Sequence, residues 1–542
     1  MKVALAQLDT TVGDIRGNRD RILHAYAEAE RRGAGLVLFP ELCIPGYPSG
    51  DLLYQPDFVR ANLKALGELA RASRRTAMLV GYAEPNRGRG KALFNAAALL
   101  HRGKVAARRF KTLIPTYDVF DEGRYFEPSP RNEPIPFEGR RLGVTVCEDA
   151  WNDRSFWEKP LYDRDPVAAL ARAKADLLLN LSASPYYRGK RGFRLKMLRS
   201  QARRHRLPFL YCNLVGGNDE LVFDGASMAL DAKGRLVALA RGFGEDLVLV
   251  DPDAAAPAIA LRAEGETEEI YKALLLGLRD YARKCGFTRA VVGLSGGIDS
   301  ALVCTLAADA LGPGNVLGVL MPSKYSSKGS VDDALALARN LGVETVMLPI
   351  NPIHQAALGA LGETAAPGSL VEQNVQARLR GMLLMALSNQ RGALLLSTGN
   401  KSECSVGYCT LYGDMAGGLS LISDVPKTTV YELARFINRG GERIPESSIR
   451  KAPSAELKPG QKDQDDLPDY EVLDDIMRAY VEEGRTLDAI VRRGHRKALV
   501  LDVLDRIDRT EYKRRQAAPG VKITGKAFGI GRRMPVARGK YR

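Results

Sequence analysis

Three polar residues in the first half of the chain stand beside apolar runs, where they could form one reactive site. Glu41 follows the apolar run 36–39, Lys111 lies between hydrophobic residues, and Cys147 ends the apolar run that begins at Leu142. A thiol becomes a nucleophile when a carboxylate takes its proton and an ammonium group stabilises the charge that develops. The alternative for Cys147 is a buried structural role, which most single cysteines have.

A second candidate site lies in the other half, in the segment Gly293-Leu294-Ser295-Gly296-Gly297-Ile298-Asp299-Ser300. An apolar strand runs through a Ser-Gly-Gly turn into a helix, so backbone N–H groups and the positive helix end would point at one anion. Asp299 would repel a phosphate unless a cation lay between them, which implies Mg²⁺. The segment lacks the Gly-Lys-Ser/Thr signature of P-loop kinases. The alternative is an ordinary strand-to-helix turn with a serine cap.

The elements that must position these residues alternate along the chain, which predicts an α/β fold. Loss of periodicity over 251–258, where Pro and Ala accumulate, predicts a linker between two units. The predicted strands are 36–39, 77–80, 142–147, 177–180, 209–214, 290–294, 316–321, 345–349 and 393–396. The predicted helices are 19–32, 59–72, 266–285, 300–311 and 331–341.

Composition narrows the class of protein. The chain has 542 residues, 45% of them hydrophobic and 26% charged, which excludes fibrous and wholly disordered proteins. With 79 Lys+Arg and 64 Asp+Glu the net charge is +15, which suits a nucleic-acid binder, a membrane-surface protein or an enzyme with an anionic substrate. Residues 491–542 hold 16 Lys+Arg and 4 Asp+Glu, so 16 − 4 = +12 of the net charge lies there. The remaining 490 residues are therefore almost neutral.

The cysteine and histidine pattern argues against a disulfide framework and a zinc site. The seven cysteines form no CxxC pair and the five histidines are isolated. The apolar run at the N-terminus is too short, and polar residues follow it too soon, for a signal peptide. No apolar run approaches the ~18 residues that span a bilayer. We therefore expect a cytoplasmic protein with reduced thiols.

The glycine-rich segment resembles the SGGxDS loop of the ATP-pyrophosphatase family, whose members cleave ATP to AMP and pyrophosphate to activate a carboxyl or carbonyl group. The segments 372–380 and 397–403 resemble those of the NAD synthetase branch. The resemblance implies that loop 293–300 binds ATP and that Asp299 and Glu403 hold Mg²⁺. The further residues it implies are Thr398 and Lys427 for ATP, and Asn374, Glu403 and Lys513 for deamido-NAD.

The first half resembles the nitrilase (carbon–nitrogen hydrolase) superfamily over about residues 1–255, through FPEL, FKTLIPTYDVFDE and CEDAW. That resemblance implies an α-β-β-α sandwich with Glu41 as general base, Lys111 stabilising the oxyanion and Cys147 as nucleophile. Glu122 would be the auxiliary glutamate. Glutamine would contact Tyr117, Ser184 and Lys190.

Together the resemblances imply a glutamine amidase domain at 1–255 and a Rossmann-like parallel α/β synthetase domain at 265–542. Ammonia from glutamine would amidate deamido-NAD that Mg-ATP has adenylated, and the family implies a homo-oligomer. One alternative is another ATP-pyrophosphatase with a different acceptor; GMP synthetase is disfavoured because no histidine follows Cys147 until His205. A basic nucleic-acid-binding protein is the non-enzymatic alternative, disfavoured by 7% aromatics and the lack of a binding motif.

Overall fold

The computed structural model of the chain describes residues 1–261 and 265–539. Two compact units, Met1–Ala263 and Glu264–Arg542, divide the chain. Strands alternate with helices in both, so the predicted α/β class is confirmed. Between Val250 and Glu266 the described residues form no helix or strand, as the loss of periodicity there predicted. No helix of the described residues has the length and apolar character needed to cross a membrane.

In the first unit, residues 1–261 form two six-stranded sheets, one two-stranded sheet and four α-helices. Its strands are β1 (Val3–Gln7), β2 (Leu36–Leu38), β3 (Ala77–Pro85), β4 (Leu93–His101), β5 (Lys104–Phe110), β6 (Ile135–Phe137), β7 (Arg140–Val146), β8 (Leu177–Ser182), β9 (Phe209–Asn213), β10 (Val215–Asn218), β11 (Leu221–Asp224), β12 (Met228–Leu230), β13 (Leu236–Leu239) and β14 (Asp246–Val250). Its helices are α1 (Ile15–Arg31), α2 (Pro56–Ala72), α3 (Pro166–Arg172) and α4 (Lys190–His205).

The two large sheets have the strand orders β14-β1-β2-β3-β4-β5 and β13-β12-β9-β8-β7-β6, and β10 pairs with β11. Alternate residues of facing strands, such as Leu5 and Val144, share one buried cluster. The opposite face of the first sheet packs against α1 and α2, for example Val37 with Leu66. The opposite face of the second packs against α3 and α4. The unit is therefore the expected α-β-β-α sandwich.

The second unit contains a parallel sheet and a large helical part. Its strands are β15 (Ala290–Gly293), β16 (Val316–Leu320), β17 (Glu344–Met347), β18 (Leu394–Ser397) and β19 (Leu419–Ser420). Its helices are α5 (Glu266–Lys284), α6 (Ile298–Leu311), α7 (Lys328–Leu341), α8 (Asn351–Leu361), α9 (Leu370–Arg391), α10 (Lys401–Val406), α11 (Lys427–Ile437), α12 (Glu446–Arg450), α13 (Tyr470–Met477), α14 (Leu487–Val491), α15 (Lys497–Arg509) and α16 (Glu511–Arg514).

Strand order β17-β16-β15-β18-β19 places the first strand of this sheet in its middle. All neighbouring pairs are parallel. The chain builds outward from β15 through β16 to β17, then returns to β18 on the other side of β15. In such sheets ligands bind at the carboxyl ends of the strands where the order reverses. Here those ends lead into the glycine-rich loop after β15 and into Thr398–Glu403 after β18.

Candidate functional site

Glu41, Lys111 and Cys147 come together although they lie far apart in sequence. Lys111 directly follows β5 and Cys147 directly follows β7. The ammonium Nζ of Lys111 is 2.7 Å from Oε1 of Glu41, and both side chains are fully buried. Cys147 is also buried, and the charges of Glu41 and Lys111 both act on its thiol. The structure thus assembles the three residues that the sequence grouped by chemistry.

Glu122 is a second carboxylate at this lysine. Nζ of Lys111 lies 2.8 Å from Oε1 and 2.9 Å from Oε2 of Glu122. The hydroxyl of Tyr47 donates a further hydrogen bond of 3.0 Å to Oε1 of Glu122. One ammonium group therefore contacts two carboxylates.

Burial sets the protonation of this cluster. It raises the pKa of the Cys147 thiol, and the negative charge of Glu41 raises it further, against the opposing effect of Lys111. Burial also raises the pKa of Glu122 to about 7, although Lys111 lowers it. For Lys111 burial alone would lower the pKa, but Glu122 and Glu41 together raise it well above its usual value. The resting thiol is therefore neutral and needs a base before it can attack.

Asp149 ties the cysteine turn to the lysine segment. Its carboxylate accepts backbone N–H groups from Thr112 at 2.9 Å, Leu113 at 2.8 Å and Val146 at 3.1 Å. Burial raises the pKa of Asp149 to about 7. Cys147 begins a 3₁₀ turn with φ +40°, in the left-handed region. The position of Cys147 is thus fixed by a bent backbone and by the hydrogen bonds between Asp149 and the neighbouring segment.

Two of the residues expected to contact glutamine lie close in sequence or space to Glu41 and Cys147. Tyr117 donates to Glu148, the residue after Cys147, at 2.8 Å. Ser184 is buried, and its N–H donates to Asn213 at 3.0 Å, while the preceding N–H of Ala183 donates to Glu41 at 3.0 Å. Tyr117 thus contacts the neighbour of Cys147, and Ser184 follows a residue that contacts Glu41.

Lys190 is the first residue of α4 and is buried. Its ammonium donates to the carbonyl of Pro185 at 2.6 Å and lies 5.2 Å from the ring centre of Trp151. Glu148, which also accepts the hydroxyl of Tyr162 at 3.0 Å, is a residue of this region that sequence reasoning missed. Its position directly after Cys147 was the available signal.

The glycine-rich segment forms the predicted strand–turn–helix. Gly293 ends β15 and Ile298 begins α6. Gly296 has φ +78°, and a Cβ added there would overlap the carbonyl of Ser330. Oγ of Ser295 is 3.1 Å from Oγ of Ser300 and accepts the N–H of Gly297 at 3.2 Å. Serine hydroxyls and the helix end therefore converge where a phosphate would bind.

Asp299, Glu403 and Lys427 meet beside this turn. The ammonium of Lys427 forms an ion pair with Asp299 and lies 3.4 Å from Oε1 of Glu403. Asn400 donates to Asp299 at 3.0 Å and accepts the N–H of Glu403 at 3.0 Å, which caps α10. Burial raises the pKa of Glu403 to about 8, and Asp299 raises it further while Lys427 lowers it. Asn400, which sequence reasoning missed, connects the two carboxylates.

The donor set fits Mg²⁺. Asp299 and Glu403 supply the carboxylate oxygens that this cation prefers, on the two sides of one ammonium group. Within residues 1–261 and 265–539, no group of three or more His, Cys, Asp or Glu could hold a metal. Mg²⁺ is commonly held by one or two carboxylates together with substrate phosphates and water, so two carboxylates next to a phosphate loop suffice.

The other residues that the resemblance links to ATP or deamido-NAD also lie in the second unit. Thr398 directly follows β18 and is half-buried. Asn374 accepts the hydroxyl of Thr410 at 2.9 Å. Lys513 donates to the carbonyls of Gly407 at 2.8 Å and Cys409 at 2.7 Å. Asn374 and Lys513 therefore both contact the segment that follows α10, the helix that carries Glu403.

Comparisons with known proteins match both halves of the chain. The profile of the carbon-nitrogen hydrolase family matches residues 2–257, and that of NAD synthase matches residues 270–517. A glutamine-dependent NAD(+) synthetase of Synechocystis sp. is 48% identical, with 99% of this chain and 98% of that protein covered. The corresponding protein of Thermotoga maritima is 43% identical over the same shares.

A solved structure of the glutamine-dependent NAD+ synthetase from Acinetobacter baumannii, in complex with ADP, aligns with a TM-score of 0.76 and 38% identity. The alignment covers 99% of this chain and 98% of that chain. The glutamine-dependent NAD(+) synthetase from Cytophaga hutchinsonii aligns with a TM-score of 0.83 at 21% identity, over 99% of this chain and 97% of that chain. This second alignment shows that the two chains share a fold. By its similarity to relatives over almost its full length, the chain belongs to the glutamine-dependent NAD(+) synthetase family.

Proposed function

We propose that residues 1–255 release ammonia from glutamine and that residues 265–542 use it to amidate deamido-NAD, with ATP as co-substrate. The observation that carries this proposal is the buried cluster in which Lys111 contacts Glu41 at 2.7 Å beside Cys147. A neutral thiol, a carboxylate and an ammonium group in one dry site are the groups that amide hydrolysis through a thioester requires.

In the first unit Glu41 takes the proton of Cys147, and the sulfur attacks the carboxamide carbon of glutamine. The ammonium of Lys111 stabilises the oxyanion that forms. The C–N bond then breaks, and Glu41 returns the proton to the leaving nitrogen, which departs as NH₃. Water, deprotonated by Glu41, hydrolyses the thioester to glutamate. We propose that Tyr117, Ser184 and Lys190 hold the amino-acid end of glutamine.

In the second unit we propose that the loop from Gly293 to Ser300, with Thr398 and Lys427, binds ATP. Asn374, Glu403 and Lys513 would contact deamido-NAD. The nicotinate carboxylate attacks the α-phosphorus, pyrophosphate leaves, and ammonia then displaces AMP from the adenylate to give NAD. Mg²⁺ held by Asp299 and Glu403 would neutralise phosphate charge. Lys427, whose ammonium already lies between these carboxylates, would add positive charge near the phosphates.

The experiment separates the two nitrogen donors. Purified protein receives ATP, Mg²⁺ and deamido-NAD with either glutamine or an ammonium salt, and NAD, AMP and glutamate are quantified by liquid chromatography. Cys147→Ala should form no NAD from glutamine and retain synthesis from ammonium. Cys212→Ala is a matched control, because Cys212 is equally buried and donates to the carbonyl of Ala6 at 3.4 Å.

Asp299→Ala provides the complementary result, since it should abolish NAD formation from either donor. NAD formation from glutamine by Cys147→Ala would defeat the amidase assignment. Full synthesis by Asp299→Ala would defeat the assignment of the phosphate and metal site.

We also propose that the protein is a homo-oligomer. The support is an apolar stripe on α9, formed by Val371, Val375, Met382 and Met385 at helical spacing. Met382 is 54% exposed and Met385 39% exposed in the chain. Exposed large apolar side chains on one helix face are typical of protein interfaces.

A further inference from the structure

Asn95, a fully buried residue of β4, contacts both carboxylates of the Cys147 site. Its amide nitrogen Nδ2 lies 2.7 Å from Oε1 of Glu41 and 3.2 Å from Oε2 of Glu122. The main chain of Asn95 also accepts the N–H of Lys111 at 2.8 Å. Asn95 therefore contacts Glu41 and Glu122 through its side chain and Lys111 through its main chain.

The orientation of this amide follows from chemistry. Ionised carboxylates accept hydrogen bonds and do not donate them, so the NH₂ group of Asn95 must face Glu41 and Glu122. The reverse orientation would place three acceptor groups together. The carbonyl Oδ1 of Asn95 has no hydrogen-bond partner among the described residues. The side chain is thus held through its NH₂ group, at the expense of an unsatisfied buried acceptor.

The other donors in the cluster do not duplicate this contact. Tyr47 donates to Glu122 alone, and the N–H of Ala183 donates to Glu41 alone. Lys111 reaches both carboxylates, but it is a single positive charge for two negative ones. Of the neutral donors in the described part of this unit, Asn95 is the one that joins them.

We propose that Asn95 is a positioning residue for glutamine hydrolysis, which holds the Glu41 carboxylate in place as the base for Cys147 by binding it and Glu122 with one amide group. This inference rests on the proposed function, which makes Glu41 the base. Hydrogen bonds to a carboxylate favour its ionised form, so loss of Asn95 should make the Glu122 carboxylate harder to ionise. Because burial already raises the pKa of Glu122 to about 7, the change would appear in the physiological pH range.

The test uses Asn95→Asp, which keeps the shape and removes the NH₂ group, and Asn95→Ala, which removes the whole amide. Glutamate release is measured from pH 5.5 to 9 in the full-length protein. We expect the acid limb of the kcat/KM profile to move to higher pH in both variants. We also expect kcat to fall by about 10- to 100-fold, as misplacement of a general base predicts, while KM changes much less.

Asn62, on helix α2, offers a matched control. It is fully buried, its Nδ2 donates to the carbonyl of Ala83 at 2.7 Å, and Ala83 is the register partner of Asn95. The side-chain amide of Asn62 hydrogen-bonds to the main chain of Ala83 and, within the described residues, not to Glu41 or Glu122. Asn62→Asp and Asn62→Ala should lower thermal stability and leave the pH profile of the remaining activity unchanged.

Each sample is normalised to its ammonium-dependent NAD formation, which reports folded chain. If the parent protein releases no glutamate, or Cys147→Ala still does, the proposed function fails. If the parent is active through Cys147 but the Asn95 variants keep its pH profile, the positioning role is overturned. Failure of both Asn95 variants to fold, with the Asn62 variants folded, would also overturn the positioning role, because substituting a positioning residue should not unfold the protein.

Discussion

At the scale of residues, a single ammonium group between two buried carboxylates governs the first site. Lys111 contacts Glu41 at 2.7 Å and Glu122 at 2.8 Å, and none of these side chains is more than 6% exposed. Removing one partner of such a group leaves charge that is neither solvated nor paired. Chemistry and stability are therefore coupled at Lys111.

Lys111→Met tests this coupling. The substitution keeps the apolar stem and removes the charge, so we expect loss of glutamate release and a free energy of unfolding lower by about 3–5 kcal/mol. Adding Glu122→Gln should restore part of that stability without restoring activity, because one of the two uncompensated charges is removed. Urea unfolding followed by circular dichroism measures the effect. A midpoint unchanged by Lys111→Met would contradict the prediction.

The charged residues of this site could be predicted from the sequence, and the amide that joins them could not. Glu41 and Cys147 lie at the ends of apolar runs, where strand ends gather in α/β folds, and Lys111 lies between hydrophobic residues. Asn95 lies inside the strand Leu93–His101, and its two partners are 54 and 27 positions away along the chain. A lone polar residue in an apolar strand does not indicate which groups the fold will place beside it.

At the scale of elements, the turn between β15 and α6 depends on segments that are distant in sequence. The apolar run and the Ser-Gly-Gly motif predicted the strand, the turn and the helix. They did not predict that Ser330, on α7, would pack its carbonyl against Gly296, or that Ser448 would donate to the carbonyl of Gly296 at 3.1 Å. Likewise, strand Lys104–Phe110 was absent from the predicted strands, because its basic residues obscure the apolar alternation.

Gly296→Ala should disable this turn. An alanine at φ +78° carries about 1–2 kcal/mol of backbone strain, and its Cβ would overlap the Ser330 carbonyl. We expect kcat/KM for ATP to fall by about 100-fold, because displacing the bound phosphates by about 1 Å can lower the rate by about that factor. Glutamate release should be unchanged. Gly329→Ala is the control, since an added Cβ there meets nothing within 4 Å. Equal activity of the two variants would contradict a preformed phosphate turn.

At the scale of the whole molecule, part of the positive charge of residues 491–542 lies in ion pairs. Arg514 and Arg532 both contact Glu511, at 2.9 and 3.0 Å, and Arg538 contacts Asp508 at 2.6 Å. The excess of basic residues over 491–542 therefore stabilises the helical end of the second unit as well as raising the net charge. Sequence composition located the charge but could not show these pairings, because they join residues up to 30 positions apart.

The apolar stripe on α9 predicts how the proposed oligomer can be disrupted. Met382→Glu combined with Met385→Glu would place two carboxylates on the stripe, so subunits that bury this face should separate. Light scattering after size-exclusion chromatography should show the mass falling to that of a smaller assembly. Arg391→Glu, at the C-terminal end of the same helix, serves as a charge-change control. A parent protein that is already monomeric would contradict the proposal.

Because the backbone of Cys147 lies in the left-handed region, keeping the thiol that the proposed catalysis needs costs the fold some stability. At φ +40° a glycine would be the less strained residue. Glycine in place of Cys147 would relieve that strain, but it would also remove a side chain that packs in the buried cluster shared by the two large sheets. In a lineage that no longer needed glutamine as a nitrogen source, these two effects would oppose each other at this position.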